Sequence, residues 1–219
     1  LAFVFALAKG DTTKALDYTL TVNTKQIMKP NIKSFLKDYG LVSSTKLRSV
    51  FSETVKYFTD RDDMTFKELY EWYPVKIHVS SYCLDALKTV YFSVDSAPSM
   101  SVLDAISASI AIPFVISPVK LSDNWSYIDG GYAESTPAGA FLGRAKEDIL
   151  ILSLDWKLTN EIKDLKSYAI VILTAQMRIR YDYDFPTLKL KTDINIFDFG
   201  ADQETKLRLF MHGTAAALH

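Results

Sequence analysis

The spacing of apolar residues along the chain predicts several helices. In residues 47–58 apolar side chains recur every three or four positions, and Ser43 or Ser44 precedes them as a candidate N-cap. Further helices are predicted where this periodicity or a capping signal recurs, at 65–72 with a Thr65–Glu68 capping box, 101–112, 165–179 and 202–218. Residues 170–173 taken alone could also form a strand.

Other stretches have the patterns of strands. Residues 75–79 and 90–94 are rich in β-branched and aromatic side chains, and Cys83 and Leu84 are predicted to lie in the connection between them. A short strand is predicted to end at Tyr127-Ile128, a strand buried in a parallel sheet at 149–152, and a half-exposed alternating strand at 188–196. Because helices and strands intermix, the predicted fold class is α/β, with residues 1–219 as a single domain.

The chain opens on an apolar run at residues 1–8. Eight residues of helix rise about 12 Å, so this run is too short for the roughly 30 Å hydrocarbon core of a bilayer. Ala6-Leu7-Ala8 has the small-x-small form of a signal peptidase site, but no basic segment precedes it. The favoured interpretation is a buried helix whose N-terminal portion is missing.

Composition and charge narrow the function classes. The 219 residues are 48% hydrophobic with a formal net charge of −1, so bulk charge supports neither nucleic-acid binding nor a polybasic membrane anchor. Cys83 is the single cysteine, which excludes an internal disulfide, fits a reducing compartment and is expected to be a small buried hydrophobic residue. The sequence contains no metal-ligand cluster, and we expect no cofactor. The predicted location is the cytoplasm or the periphery of a membrane.

The candidate chemistry lies at Asp129-Gly130-Gly131, directly after the strand that ends at Ile128. Functional aspartates of α/β folds often follow a strand in this way, and the two glycines can adopt positive φ or let another backbone approach closely. Asp-Gly is also among the commonest turn signals, so by itself this segment favours a structural turn.

The surrounding motifs give this segment a context. A helix rich in small residues ends in Ala108-Ser109 and Pro113, sixteen residues before Asp129. This arrangement resembles the patatin-like family of lipid acyl hydrolases, in which an Ala-Ser-x-x-x-Pro helix end precedes an Asp-Gly-Gly or Asp-Gly-Ala turn. Other segments similar to the family are 38–41, 63–70, 98–105, 197–199, 204–206 and Gly213.

The resemblance implies a fold and an activity. The fold would be a three-layer α/β/α arrangement with a mostly parallel central sheet, and the reaction a phospholipase A-type ester hydrolysis by a Ser-Asp dyad. In such a dyad Asp129 would be the catalytic base, and Gly130 and Gly131 would shape its turn. No metal or cofactor is implied, and the partners would be a lipid or phospholipid substrate and, transiently, a membrane surface. Candidates for an exposed aromatic rim are Tyr70, Trp72, Tyr73 and Trp125.

The chain departs from the family pattern in two ways. Its eight glycines form no Gly-x-Ser-x-Gly elbow and no glycine-rich oxyanion loop. In the family the elbow runs into an apolar helix, so we expect the first strand and the elbow to precede Leu1. In Glu134-Ser135-Thr136-Pro137 the asparagine of the family's Asn-x-Pro is absent, which leaves open what supports the turn.

Alternatives to the dyad stay open at this point. The chain could be a catalytically inactive homologue that acts as a binding or structural protein, or an unrelated α/β domain. Ser107 and Ser109 could serve as nucleophiles, although helix packing is the favoured interpretation for both. His78, His212 and His219 have no partner at a suggestive spacing. Asp182 and Asp184 are expected at a solvated edge.

Overall fold

A computed structural model describes residues 2–23, 30–156, 161–164, 167–168, 171–172, 174–175, 184–192 and 201–217. Helices and strands intermix along the chain, which confirms the α/β class. The helices are α1 (Ala2–Leu7), α2 (Thr12–Thr21), α3 (Ile32–Asp38), α4 (Ser44–Thr59), α5 (Phe66–Trp72), α6 (Val102–Ser109) and α7 (Gln203–Ala217). The strands are β1 (Gly40–Val42), β2 (Val79–Cys83), β3 (Lys88–Phe92), β4 (Phe114–Ile116), β5 (Val119–Lys120), β6 (Ser126–Asp129), β7 (Ile151–Trp156) and β8 (Thr187–Thr192).

The described strands form one larger sheet and two strand pairs. The larger sheet has the order β3-β2-β6-β5 and is antiparallel throughout. The pairs β1–β4 and β7–β8 are parallel. The expectation of a mostly parallel sheet therefore holds for these two pairs and is wrong for the four-stranded sheet, where the short β2–β3 and β5–β6 connections impose antiparallel pairing.

Local capping signals position the helices as predicted. Ser43 caps α4, and its Oγ accepts a hydrogen bond from the Thr45 N–H. Both hydrogen bonds of the Thr65–Glu68 capping box are present at the start of α5. Ser101 caps α6, which ends at Ser109, three residues earlier than predicted. These hydrogen bonds satisfy N–H groups that the first turn of a helix leaves without partners.

The core lies between α6 and the four-stranded sheet, with α1, α4 and α5 around them. Val102, Leu103, Ala105 and Ala108 of α6 are fully buried. Cys83 is also fully buried, as expected of a small hydrophobic residue. In the first helix Phe3, Ala6 and Leu7 are buried, which confirms the buried helix predicted there.

Arg48 links α4 to the start of α6. Its Nε lies 2.6 Å from Asp104 Oδ1, and its Nη2 lies 2.6 Å from Asp63 Oδ2. The Asp63 carboxylate also accepts a hydrogen bond from the Ser101 hydroxyl. A planar guanidinium can hold two carboxylates in fixed directions, so this cluster sets the position of the helix that packs on the sheet.

The predicted strands differ from the observed ones near Cys83. The strand predicted at 75–79 forms at Val79–Cys83, and that at 90–94 forms at Lys88–Phe92. Cys83 therefore ends a strand and does not lie in the connection. In the turn between the strands Leu87 has a φ of 50°. This left-handed conformation is rare for leucine, so the sequence does not predict it.

The C-terminal elements agree in part with the sequence patterns. The strand predicted at 149–152 forms as β7, but Leu150, Leu152 and Leu154 are more than half exposed, so its predicted burial is wrong. Within the described part of the chain, only β8 pairs with β7. Residues 167–168, 171–172 and 174–175 are helical, β8 covers 188–192 of the strand predicted at 188–196, and α7 matches the last helix. Residues 193–199, Asp182 and His219 lie outside the described residues.

Candidate active site at the Asp129 turn

Asp129 is the last residue of β6 and the cap of the 3₁₀ turn Gly130–Tyr132. It pairs with Ser81 of β2, and its backbone N–H donates to the Ala111 carbonyl oxygen at 3.0 Å. Its side-chain Oδ1 accepts a hydrogen bond of 2.7 Å from the Gly131 N–H. Two strands and the end of the small-residue helix segment therefore hold the backbone that carries this carboxylate.

Gly130 is required by a close approach between backbones. A Cβ at this position would lie 2.6 Å from Ser80 Oγ and 2.7 Å from the Ser80 carbonyl oxygen, closer than real Cβ contacts. Neither Gly130 nor Gly131 has a positive φ. One expected property, the close approach of another backbone, is therefore observed at Gly130. The other, a positive φ, is observed at neither glycine.

The carboxyl group of Asp129 has a shifted pKa. Burial raises this pKa to about 6, against the smaller lowering effect of the Gly131 N–H hydrogen bond. Desolvation disfavours the charged form of a carboxyl, which is why burial acts in this direction. A base with a pKa near 6 is mostly ionised at neutral pH and still accepts a proton readily, as general base catalysis requires.

Glu134 supports the turn that follows Asp129. It is buried, its Oε2 accepts a hydrogen bond from the Tyr91 hydroxyl of β3, and its Oε1 accepts one of 2.8 Å from the Gly139 N–H. Its own N–H donates to the Gly130 carbonyl oxygen at 3.0 Å. Where the family's asparagine is absent, this chain ties the turn to β3 and to the following 3₁₀ turn through a buried carboxylate.

Sequence reasoning missed the roles of Glu134 and Tyr91. The two residues are 43 positions apart, and the strand that carries Tyr91 meets the turn only in the folded chain. The signal available was the segment Glu134-Ser135-Thr136-Pro137, in which a serine and not an asparagine lies two residues before the proline. That signal indicated a departure from the family pattern but did not predict which residue would form a hydrogen bond with Glu134.

Comparison with known proteins places this geometry in a family. The model of the patatin-like phospholipase family matches residues 31–142, which are 112 of the 219 residues and include the Asp129 turn, Glu134 and Gly139. The chain belongs to the patatin-like phospholipase family. It is also 26% identical over 121 residues to the "Probable lipid hydrolase 463L" of Invertebrate iridescent virus 6. That alignment covers 55% of this chain, and the chain spans 40% of the length of that relative.

The family match covers the elements that build the turn. It begins at Asn31, the cap of α3, and runs through the four-stranded sheet and α6 to Leu142. The patatin-like motifs at 38–41, 63–70 and 98–105 fall on β1, on the loop and helix around α5, and on the start of α6. The motifs are thus spread over the fold, and α6 and the sheet connect them to Asp129.

Among the described residues, no serine or histidine side chain donates a hydrogen bond to the Asp129 carboxylate, which accepts from the Gly131 N–H. The Ser107 hydroxyl is buried without a hydrogen-bond partner there. The ring centroids of His78 and Phe141 lie 5.1 Å apart, and His212 belongs to α7. The described residues also contain no group of three or more His, Cys, Asp or Glu side chains that could hold a metal ion.

The four aromatic rim candidates divide into two groups. Trp72 and Tyr73 pack against the core, and the Trp72 Nε1–H donates to the Leu7 carbonyl oxygen at 3.0 Å. Tyr70 and Trp125 are exposed.

No helix among the described residues is long and apolar enough to cross a membrane. Asp184 is exposed and paired with Lys146, as expected of a solvated edge.

Proposed function

We propose that this protein hydrolyses carboxylic esters of lipids, with Asp129 as the general base of a Ser-Asp dyad. The observation that carries the proposal is the Asp129 carboxylate itself, fixed by β6, Gly131 and Ala111 and shifted by burial to a pKa of about 6. Membership of the patatin-like phospholipase family supports lipid esters as the substrate class.

The serine of the proposed dyad lies outside these 219 residues, which contain no Gly-x-Ser-x-Gly sequence. A serine hydroxyl is a weak nucleophile until an adjacent base takes its proton. The turn supplies that base at a defined position. Gly130 brings the turn against β2, and Glu134 ties it to β3, so the carboxylate needs little reorganisation when the hydroxyl reacts.

The proposed reaction has two balanced halves. The Asp129 carboxylate takes the serine proton while the serine oxygen bonds to the ester carbonyl carbon. The tetrahedral intermediate then collapses, the bond to the leaving alcohol breaks, and that alcohol receives the proton from Asp129. In the second half Asp129 takes a proton from water while the water oxygen bonds to the acyl carbon. The bond between that carbon and the serine oxygen then breaks, the serine oxygen receives the proton from Asp129, and the free fatty acid leaves.

The experiment for this proposal uses the full-length protein. It is incubated with phosphatidylcholine vesicles and with a triacylglycerol emulsion in ¹⁸O-labelled water, and the released products are identified by mass spectrometry. We expect labelled free fatty acid and the matching lysolipid or diacylglycerol, together with covalent labelling of a serine by a fluorophosphonate probe.

Two results would overturn the proposal. One is the absence of both fatty acid release and serine labelling in a protein that unfolds cooperatively. Such a protein would be the inactive binding or structural homologue. The other is release of phosphorylated head group without fatty acid, which would place the chemistry at a phosphodiester bond.

A further inference from the structure

Helix α3 presents its apolar side to solvent. Ile32, Phe35, Leu36 and Tyr39 fall at the i, i+3, i+4 and i+7 positions that form one face of a helix. The exposed fractions are 73% for Ile32, 77% for Leu36 and 70% for Tyr39. In α4, by contrast, Leu47 and Val55 are buried. An apolar helical face of this kind normally packs on the core, so its exposure requires an explanation.

Phe114 extends this surface from the neighbouring strand. It is 56% exposed, and its ring centroid lies 6.5 Å from that of Phe35. Its φ is 66°, a left-handed conformation that is strained for a bulky aromatic residue. The strain holds a phenylalanine beside other exposed apolar groups. We refer to Ile32, Phe35, Leu36, Tyr39 and Phe114 as the α3 face.

The α3 face has a firm backbone support. The Asn31 N–H donates to the Leu41 carbonyl oxygen at 2.7 Å, and the Asn31 side chain caps the helix at the Lys33 N–H. Gly40 of β1 pairs with Phe114 of β4, and a Cβ on Gly40 would lie 2.1 Å from the Ser117 backbone nitrogen. The face is therefore joined to the fold at both the helix and the strand.

The α3 face lies close to the candidate active site. The carbonyl oxygen of Ala111 accepts the backbone N–H of Asp129, and Phe114 follows Ala111 by three residues. Three residues span at most about 11 Å, so a surface that Phe114 contacts is within reach of the Asp129 turn.

The exposed charges of α3 are unevenly distributed around the helix. Lys33 and Lys37 are exposed and lie four residues apart, on one flank of the apolar stripe, and Asp38 is the one acidic residue of the helix. Apolar side chains that insert between lipids, flanked by lysines that attract head groups, suit a surface of anionic lipids.

We propose that the α3 face is the surface by which this protein binds bilayers containing anionic lipids. Ile32, Leu36 and Phe114 enter the boundary between head groups and acyl chains, and Lys33 and Lys37 remain among the head groups. The binding itself is independent of the reaction. The further role of bringing Asp129 to its substrate rests on the proposed function.

The test measures sedimentation of the full-length protein with vesicles of phosphatidylcholine alone and of phosphatidylcholine with phosphatidylserine. We compare wild type, Ile32→Ser with Leu36→Ser, Lys33→Gln with Lys37→Gln, and Leu87→Ser. Leu87 is a matched control because it is 74% exposed but lies in the β2–β3 turn, beside the start of β6 and away from Asp129. The expected result is at least about tenfold weaker binding for the double serine variant. The lysine variant should lose the preference for phosphatidylserine, and the control should bind as wild type.

The outcomes separate this proposal from the proposed function. Hydrolysis of a water-soluble short-chain ester should persist in the double serine variant, while hydrolysis of vesicle lipid falls with binding. A protein that binds vesicles through the α3 face without hydrolysing any ester would retain this proposal and lose the other. Wild-type vesicle binding by the double serine variant would overturn it. The proposal would also be overturned if the only effect of the double serine substitution were to dissociate a dimer. The α3 face would then be an interface between copies of the chain.

Discussion

Strand β6 has an aspartate near each end, and the two make the same local hydrogen bond. Asp123 lies on the exposed turn before the strand and accepts from the Trp125 N–H at 3.0 Å and the Tyr127 hydroxyl at 2.6 Å. Asp129 ends the strand and accepts from the Gly131 N–H at 2.7 Å. Each carboxylate thus bonds the backbone N–H two residues on, a turn motif that carries no chemistry by itself.

The difference between the two aspartates lies in what surrounds them. Around Asp129 the backbone of β2 closes in at Gly130, a buried glutamate braces the turn, and burial raises the pKa of the carboxyl to about 6. Asp123 lies on an exposed turn. The comparison shows that tertiary surroundings, and not the Asp-containing turn, distinguish a candidate base from a structural cap.

The largest expected effect is on catalysis. In the full-length protein Asp129→Asn should lower kcat/KM for a lipid ester by about 10³-fold, because an amide cannot take the serine proton yet still accepts the Gly131 N–H. Asp123→Asn should keep kcat/KM within about threefold of the wild-type value. Steady-state kinetics with both variants checks this, and retained turnover in Asp129→Asn would rule out its role as base.

The next effect is on stability as a function of pH. Because folding raises the pKa of Asp129, the folded chain holds a proton that the unfolded chain has released between about pH 4 and pH 6. The resulting stabilisation is present below pH 4 and is lost as the pH rises through 6. Asp129→Asn should therefore become more stable than wild type by up to about 3 kcal/mol at pH 7.5, with a smaller difference at pH 4. Urea unfolding at both pH values measures this difference, and an equal difference at both would contradict it.

A smaller effect is expected from the close approach at Gly130. Gly130→Ala should destabilise the protein by about 2 kcal/mol, because the added Cβ meets the β2 backbone at Ser80. Gly213→Ala is the matched control, since a Cβ there has no neighbour within 4 Å in α7, and it should stabilise by about 1 kcal/mol. Denaturant midpoints of the two variants give the comparison. Equal effects would show that the Asp129 turn is not tightly packed against β2.

The smallest effect concerns the brace beyond the turn. Tyr91→Phe removes one donor to the buried Glu134 carboxylate and should cost about 1 kcal/mol of unfolding free energy. It should also lower kcat more than KM rises, because the turn that positions Asp129 loosens. Tyr57→Phe, at an exposed ring in α4, should change neither quantity. A Tyr91→Phe variant with wild-type kinetics and stability would remove Glu134 from the account.

The parts of this fold that the sequence could predict depend on neighbours in the chain. The caps at Ser43, Thr65 and Ser101 were predictable because each hydrogen bond joins residues two or three positions apart. The order of the patatin-like motifs also predicted the family and the position of Asp129. Whether Asp129 acts as a base is a prediction that the proposed kinetics would test.

The parts that could not be predicted depend on contacts distant in sequence. The register of β2 and β3 is set by a turn with a left-handed leucine, and Glu134 meets Tyr91 across 43 residues. Helix α3 shows the normal apolar periodicity of a helix, but its sequence does not reveal that this face is turned to solvent.

The pH dependence of kcat/KM for a lipid ester, measured on the full-length protein between pH 4 and pH 8, tests the central claim about Asp129 most directly. His78→Gln serves as a control, because burial lowers the pKa of that imidazole below its usual value. The account predicts that kcat/KM rises with one deprotonation near pH 6 and keeps this midpoint in His78→Gln and Asp123→Asn. A midpoint near pH 4, or one that disappears in His78→Gln, would contradict it.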